Sequence, residues 1–452
     1  MKKLLIALLF PLLSAAQHTP KFHALRYDDD FRYMARDTSG DWYPKLKFTR
    51  LSEKGNTYVS FGGDIRLQYF RFKNEDLGDA PQDDDGFILN RYLFHADFHA
   101  GDRFRFFVQF QGSMASGRRN PNLLEQNPLD WHQAIADWKH ANKNSGVTLR
   151  IGRQEMWYGS QRLIAVREFP NSRLAFDAAR VMVKTSAIAS DAFFALPVAN
   201  KEGIFDDSPQ AENRLWGSYT TISRVPYLKN VDLYYLGLRK QMAEFANASG
   251  REQRHTFGTR IWNQAKNFGY DVEAVYQSGK INDAKISAWT LSSYLTYRFS
   301  DFALQPEFGL KAEVISGDSN PADAKLGTFN PLFPRGAYFG LAGIIGPSNL
   351  YDLHPEVSLM LSKTIDFGLD LDLFWRFSLH DGIYAPNVSV IYAGVGDERF
   401  IGTQLAGNIS WQPNSFFGLK AEATWFDAGP FAKEAGTGND ILFVGVTSQF
   451  KF

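Results

Sequence analysis

The stretch Asp440–Phe452 reads "DILFVGVTSQFKF". Taken two residues at a time, it sets Leu442, Val444, Val446, Ser448, Phe450 and Phe452 on one face. Phe443, Gly445, Thr447, Gln449 and Lys451 fall on the other. A period of two is the mark of a β-strand whose two sides meet different surroundings. An alternating strand that ends on Phe looks like the closing strand of a bacterial outer-membrane barrel. A soluble sandwich gives the same alternation, so the rest of the chain must decide.

The alternation recurs upstream. Val59–Phe70 sets Val59, Phe61, Ile65, Leu67 and Tyr69 against Ser60, Asp64, Arg66 and Gln68. Arg103–Ser113 sets Phe104, Phe106, Val108 and Phe110 against Arg105, Phe107, Gln109 and Gln111. Tyr270–Gln277 and Gly368–Leu379 repeat the pattern, with Asp271, Glu273, Asp370, Asp372 and Arg376 on the polar side. Ten residues of tilted strand span a bilayer, and charges set regularly on the second face need water there. A barrel with an aqueous lumen supplies it.

Composition agrees. Aromatic residues make up 15% of the chain, with 39 Phe and 10 Trp, more than a soluble exported protein usually carries. The chain opens "MKKLLIALLFPLLSAAQ": basic Lys2 and Lys3, a short apolar run, then small residues, which reads as a secretory signal peptide over 1–16. No later apolar run reaches the length of a membrane helix; the one near Ala187–Ala199 is broken by Ser190, Asp191 and Pro197. Removing the signal leaves 47 basic against 49 acidic residues, which gives no footing for a nucleic-acid partner. With no cysteine, the exported chain has no disulfides to stabilise it.

The connections give the strand number. Short turns are expected at Ala100–Arg103, Lys139–Gly146, Lys184–Asp191, Ser223–Asn230, Asn263–Gly269, Phe299–Leu304, Ser362–Gly368 and Gln412–Phe417. Between them lie mostly longer stretches rich in Gly, Pro, Asn and Asp: 73–86, 114–130, 154–175, 197–213, 240–253, 278–285, 316–352, 380–400 and 428–439. Short periplasmic turns alternating with longer outer loops are the habit of single-chain outer-membrane barrels. The expectation is an all-β, antiparallel, up-and-down transmembrane barrel of about 18 strands over 57–452. Residues 17–56 precede it as a periplasmic arm or partial plug. An even strand number places both ends of the barrel in the periplasm.

"GRQEMWYGSQRLIAVREFPNSRLAFD" (Gly152–Asp177) mixes arginines, carboxylates and aromatics. As two strands it would break the alternation of turns and loops, so Gln154–Ala175 reads as an outer loop. Its charge makes it unsuited to lipid and suited to the mouth or lumen, where it would narrow the channel.

The chain resembles the alginate export family of outer-membrane porins. The stretches that carry this are "LRYDDDFRYMARD" (25–37), "YVSFGGDIRLQYFRF" (58–72), "NRYLFHADFHAGDRFRFFVQF" (90–110), "LRIGRQEMWYGSQRLI" (149–164), "SRLAFDAARV" (172–181) and "SGDSNPADAKLGTFNPLFPRGAYFG" (316–340). The resemblance implies a monomeric barrel in outer-membrane lipid, passing an anionic polysaccharide or its oligomers, with a periplasmic secretion complex as partner and no cofactor. It also implies an arginine-lined constriction, for which guanidinium is well suited because it stays charged and pairs bidentately with carboxylate. On the inward face the strand reading places Arg66, Arg91, Arg105, Arg150, Arg180, Arg260, Lys311, Arg376 and Lys420, and the loop motif adds Arg153 and Arg162. The same face carries Asp64, Asp97, Glu273, Glu307, Glu313, Asp370, Asp372 and Glu422, so the lumen is mixed in charge. The other reading of such a barrel is a porin for small nutrients or ions.

Other constellations carry less. His95 and His99 share a face with Asp97, but no third ligand has metal-site spacing, and no metal is expected. "DDD" at Asp28–Asp30 and at Asp83–Asp85 lacks the spaced ligands of a calcium loop. No serine pairs with a histidine in a recognisable hydrolase motif, so no catalytic residue is assigned.

Overall fold

The computed structural model describes residues 20–38, 40–83 and 85–452. The signal peptide read over 1–16 lies outside them. Eighteen long antiparallel strands close a barrel. They are Thr57–Lys73, Phe87–Ala100, Phe104–Ser116, Asn127–Ala141, Ser145–Gln154, Phe176–Thr185, Ile188–Ala199, Arg214–Val225, Lys229–Glu244, Ser249–Gln264, Phe268–Ile281, Ala284–Arg298, Glu307–Ile315, Leu350–Met360, Ile365–Arg376, Phe400–Trp411, Phe417–Ala428 and Ile441–Lys451. Each pairs with its neighbours in sequence. The last meets the first with Tyr69 opposite Val446 and Asp64 opposite Lys451. Closure leaves no free sheet edge, which hydrocarbon would not tolerate.

Burial is the reverse of a soluble sheet. Along the first strand Ser60, Asp64, Arg66 and Gln68 are buried, while Phe61, Leu67 and Tyr69 are exposed. The exposed apolar face continues through Phe94, Phe106, Ile151, Leu291, Leu295, Leu442 and Val444. Water would penalise such a band; lipid removes it from water, at about 1.5–3 kcal/mol for each large side chain. Exposed aromatics mark its rims. Trp138, Phe268, Tyr297, Phe308 and Trp411 sit towards the short-turn end, and Tyr69, Trp131, Tyr276, Trp289 and Trp425 towards the loop end.

Six of the eight short turns fall within the stretches expected of them; the other two, 299–306 and 361–364, run past them by one or two residues. Seven of the nine outer connections do too, 377–399 and 429–440 overrunning by one to three residues, and two of the seven are much shorter than their sequence suggests. The strands run on to Glu244 and resume at Ser249, and residues 282–283 alone join Phe268–Ile281 to Ala284–Arg298. The strand expected to reach Leu379 ends at Arg376.

The lumen is not simply polar. Loops 155–175 and 316–349 turn inward and share a buried core with the wall. Met156, Leu163, Ile164, Leu332, Phe333 and Phe339 from the loops pack against Phe176, Leu215, Leu236, Val275, Leu350 and Phe374 from the strands. Ahead of the first strand, the arm forms two 3-10 turns, Arg26–Asp28 and Arg32–Arg36, and a short helix Trp42–Lys47. It enters the short-turn end of the lumen. Arg26 donates to the carbonyls of Gly63 (2.8 Å) and Phe452 (3.0 Å), and Tyr27 Oη donates to the carbonyl of Glu155 (2.8 Å).

Candidate functional site

The loop 155–175 lies inside the barrel, against the wall. Its apolar run Leu163-Ile164-Ala165-Val166 is buried, and it pairs by backbone with the second inward loop. Ala165 N donates to the Phe333 carbonyl (2.9 Å), and Phe333 N donates to that of Leu163 (2.8 Å). Gln161 and Arg167, at the two ends of this run, have positive φ (63° and 55°), a conformation unusual for such residues and held by the surrounding contacts. Rings tie the loop to the wall. Phe193, Tyr158, Tyr219 and Tyr234 stack in sequence at 5.1–5.3 Å. Tyr158 and Tyr219 donate to Asp191 (2.6 Å) and Asp232 (2.7 Å), and Tyr234 donates to Glu273 (2.7 Å). The Tyr234 ring lies over Gly258, where a Cβ would come within 2.1 Å of it, so a side chain there would push the ring out of its stack.

Charge pairing organises the rest. Arg66 and Arg91 stand directly opposite each other on adjacent strands, a repulsive arrangement by itself. Glu168 resolves it. Arg91 donates to its carboxylate, Arg173 lies 3.1 Å from Oε2, and Arg66 donates to its backbone carbonyl (2.6 Å). Burial would push the Glu168 carboxyl up, but Arg173, Arg91 and Arg66 outweigh it and hold it well below the usual carboxylate range. Arg162 makes a second hub, 2.9 Å from Glu313 and 3.0 Å from Glu273.

The wall arginines behave alike. Arg105 pairs with Asp97 (2.6 Å) and Arg150 with Asp137 (2.7 Å). Arg180 pairs with Asp191. Arg260 lies between Asp271 (2.6 Å) and Asp232 (3.0 Å). Lys311 pairs with Glu356 and Lys420 with Glu422. The sequence-derived set is therefore brought inward, yet as matched pairs and not as a free basic stripe.

Two members depart from the expected path. Arg153 is three residues from Arg150, so the period of two turns it outward. There it pairs with Asp177 (2.8 Å) and donates to the Trp131 carbonyl, on the face that carries exposed Ile151. Arg376 is fully buried under the outer loop 377–399. Its guanidinium donates to the carbonyls of Leu379, Gly396 and Glu398 and stacks on Phe431 at 3.8 Å, so it fastens the loop and does not line water.

The unmatched cations are elsewhere. Among the described residues neither Arg167 nor Arg335 has a carboxylate partner. Burial alone draws the Arg167 guanidinium down to about 10, still charged at neutral pH. Arg167 borders an outer vestibule of about 370 Å³, with Phe169, Phe70 and Arg118. Arg335 borders a lumen cavity of about 460 Å³, with Arg162, Lys311, Tyr294, Tyr338 and Phe339. A third space of about 750 Å³ lies at the short-turn end between the arm and Arg103, Arg105 and Lys139. Arg167 lies in the loop that the sequence assigns to the mouth. Arg335 sits in "FPRG", a loop with no periodicity to place it. Of the histidines singled out in sequence, His95 stacks on Phe107, and His99 Nε2 lies 3.1 Å from Asp97.

A closed barrel with a lipid-facing apolar band, two aromatic rims and inward-folded loops defines an outer-membrane channel of the porin class. The chain belongs to the alginate export family, which it matches over residues 57–441. The bacterial outer membrane is its location. Solved structures with the same fold include three Pseudomonas aeruginosa channels. OccK3 (OpdO) is 10% identical with a TM-score of 0.57, covering 87% of this chain and 95% of that one. OccD3 (OpdP) is 11% identical with a TM-score of 0.58, covering 90% and 93%. OccK2 (OpdF), solved in complex with glucuronate, is 9% identical with a TM-score of 0.57, covering 87% and 98%. No curated protein matches the chain.

Proposed function

We propose that this channel passes carboxylate-bearing saccharides, the acidic polysaccharide of the family name or short oligomers of it, passively across the outer membrane. The observation that carries this is the pair Arg167 and Arg335. Among the described residues each is a guanidinium without a carboxylate partner, one beside the outer vestibule and one beside the lumen cavity. Guanidinium pairs bidentately with a uronate carboxylate. The rings of Tyr294, Tyr338 and Phe339 offer apolar faces to sugar rings in the same cavity. The glucuronate complex of OccK2 supports the idea that a barrel of this shape takes a uronate. Arg66, Arg91, Arg105, Arg150, Arg162, Arg180, Arg260 and Lys311 then shape the path in balance with their carboxylates. In this reading the channel acts as a monomer, fed by a periplasmic secretion complex, and needs no cofactor.

A second reading, a porin for small nutrients or ions, draws on that balance, since paired wall charges exert little field on a passing polymer. Liposome swelling separates the two. A uronate trisaccharide should enter faster than a neutral one. Arg335→Gln should raise the half-saturating concentration for the uronate about tenfold, the loss of one charge-assisted contact, and leave the neutral sugar unchanged. Equal entry of both sugars would remove the acidic cargo and leave the small-nutrient porin.

A further inference from the structure

We propose that the lumen wall carries a binding site for one divalent first-row transition-metal ion, held by His354, Asp370 and Asp372. His354 lies on Leu350–Met360, and the two aspartates lie on the neighbouring strand Ile365–Arg376. The ladder between these strands runs Asp352 to Phe374 and Glu356 to Asp370, which brings His354 level with Asp372. Pro355 has no N–H to give, and the ladder is interrupted at that point. One nitrogen of His354 and one oxygen from each aspartate lie within 4.8 Å of one another. Bonds of about 2.1 Å to a central ion set neighbouring ligand atoms roughly 3–3.5 Å apart, so on binding Asp370 moves in and Asp372 Oδ1 moves back from His354 Nδ1, which it meets at 2.5 Å. The half-buried Asp370 is the side chain free to move in.

Three further observations point to a cation. The first is charge. Asp352, Asp370 and Asp372 face a single imidazole, while the nearby cations are already engaged, Lys311 with Glu356 and Arg162 with Glu313 and Glu273. Even a charged His354 leaves two carboxylates uncompensated, and buried charge without a partner is costly. The second is unmet bonding capacity. The Asp352 side chain is fully buried, with Oδ2 paired only to His354, while its Oδ1 and that of Asp370 accept no hydrogen bond among the described residues. The third is orientation. The imidazole stands between two carboxylates, with Asp372 Oδ1 2.5 Å from His354 Nδ1 and Asp352 Oδ2 2.9 Å from the other ring nitrogen. Gln404 donates to Asp372 Oδ2 from the next strand. A carboxylate behind a ligating imidazole and an amide behind a ligating carboxylate are the outer contacts that metal ligands carry. One imidazole with two carboxylates suits manganese, cobalt or zinc better than the all-oxygen calcium and magnesium. Asp352 and His354 border the lumen cavity, so a bound ion would make the wall beside Lys311 and Arg335 less negative.

The test uses the full mature chain in detergent, without a polyhistidine tag, stripped with chelator and dialysed against Co²⁺ or Zn²⁺. We expect one equivalent per chain, with a cobalt ligand-field band showing nitrogen and oxygen ligation. Asp370→Asn and His354→Gln should each weaken binding by at least about tenfold. Heat-modifiable gel migration reports whether each variant has kept its barrel, and the half-buried Asp370→Asn is the milder change. Asp206→Asn, in the separate acidic group Asp130, Asp206 and Asp207, should leave binding unchanged. Substoichiometric binding by the wild type would overturn the site, and would mean that the aspartates share protons instead. Binding lost with Asp206→Asn but kept with Asp370→Asn would overturn it equally.

Discussion

Glu168 is the residue that ties the inward loop 155–175 to the charges of the wall. Three guanidiniums converge on it, two of them directly opposed across adjacent strands. Half of its side chain still faces lumen water (49% exposed), so the cluster is screened more than a fully buried one. Glu168→Gln should loosen the loop by about 1–2 kcal/mol, discounted from the buried-pair value for that exposure. It should read as a larger single-channel conductance with stronger anion preference. Unchanged conductance and selectivity would show that the loop is held by its apolar core alone. Because the carboxyl is held below its ordinary range, its contribution is complete at neutral pH. It is lost only as pH falls through the lowered value, so the closed loop should persist through mild acid. At this scale the sequence was legible wherever period two applied: Arg66, Arg91, Arg105 and Arg150 all turn inward. The same rule, applied between Arg150 and Arg153, places Arg153 outside. Arg335 was hidden because a residue in an irregular loop is positioned by tertiary contacts and not by local pattern.

Among the elements, strands and turns were far easier to read than loops. A strand facing lipid on one side and the lumen on the other writes its two environments into alternate residues, as "DILFVGVTSQFKF" does. The inward loops have no such code. Their apolar residues, such as Leu163-Ile164-Ala165-Val166 and Phe333, look like any short hydrophobic run until the wall beside them supplies Phe176 and Leu236. The arm is similar. Its Lys47 is fully buried among Phe22, Phe31 and Tyr43, with Nζ donating to the Phe61 carbonyl (2.8 Å). Burial, reinforced by Arg26 and opposed by Asp29 and Asp97, brings its pKa down from 10.5 to about 7. A lysine lowered in the docked state releases its proton on docking between these values, so docking strengthens as pH rises from about 7 towards 10. The ring and carbonyl contacts favour the charged form and cut the effect to on the order of 1–3 kcal/mol. A spin label at Lys21→Cys should therefore be more mobile at pH 6 than at pH 9. Lys47→Met should abolish the difference; a label equally immobile at both pH values in the parent would contradict this.

For the whole molecule, strand number and closure followed from counting turns against loops, and the barrel confirms the count because an even number is needed to bring the first and last strands together. What the counting could not reveal is that the closed wall also encloses an apolar core, so that the water path runs beside it, bordered by paired charges and, among the described residues, a few guanidiniums without a carboxylate. Such a path should favour anions modestly. The preference should fade with salt, since the screening length falls from about 10 Å at 0.1 M to about 3 Å at 1 M. The most direct test is the reversal potential of the purified protein in a planar bilayer under a salt gradient, with and without oligouronate. The acidic-saccharide channel predicts an anion-selective sign at low salt and block by oligouronate that is lost in the Arg167→Gln, Arg335→Gln double variant. A cation-selective pore, or one indifferent to oligouronate, would contradict it.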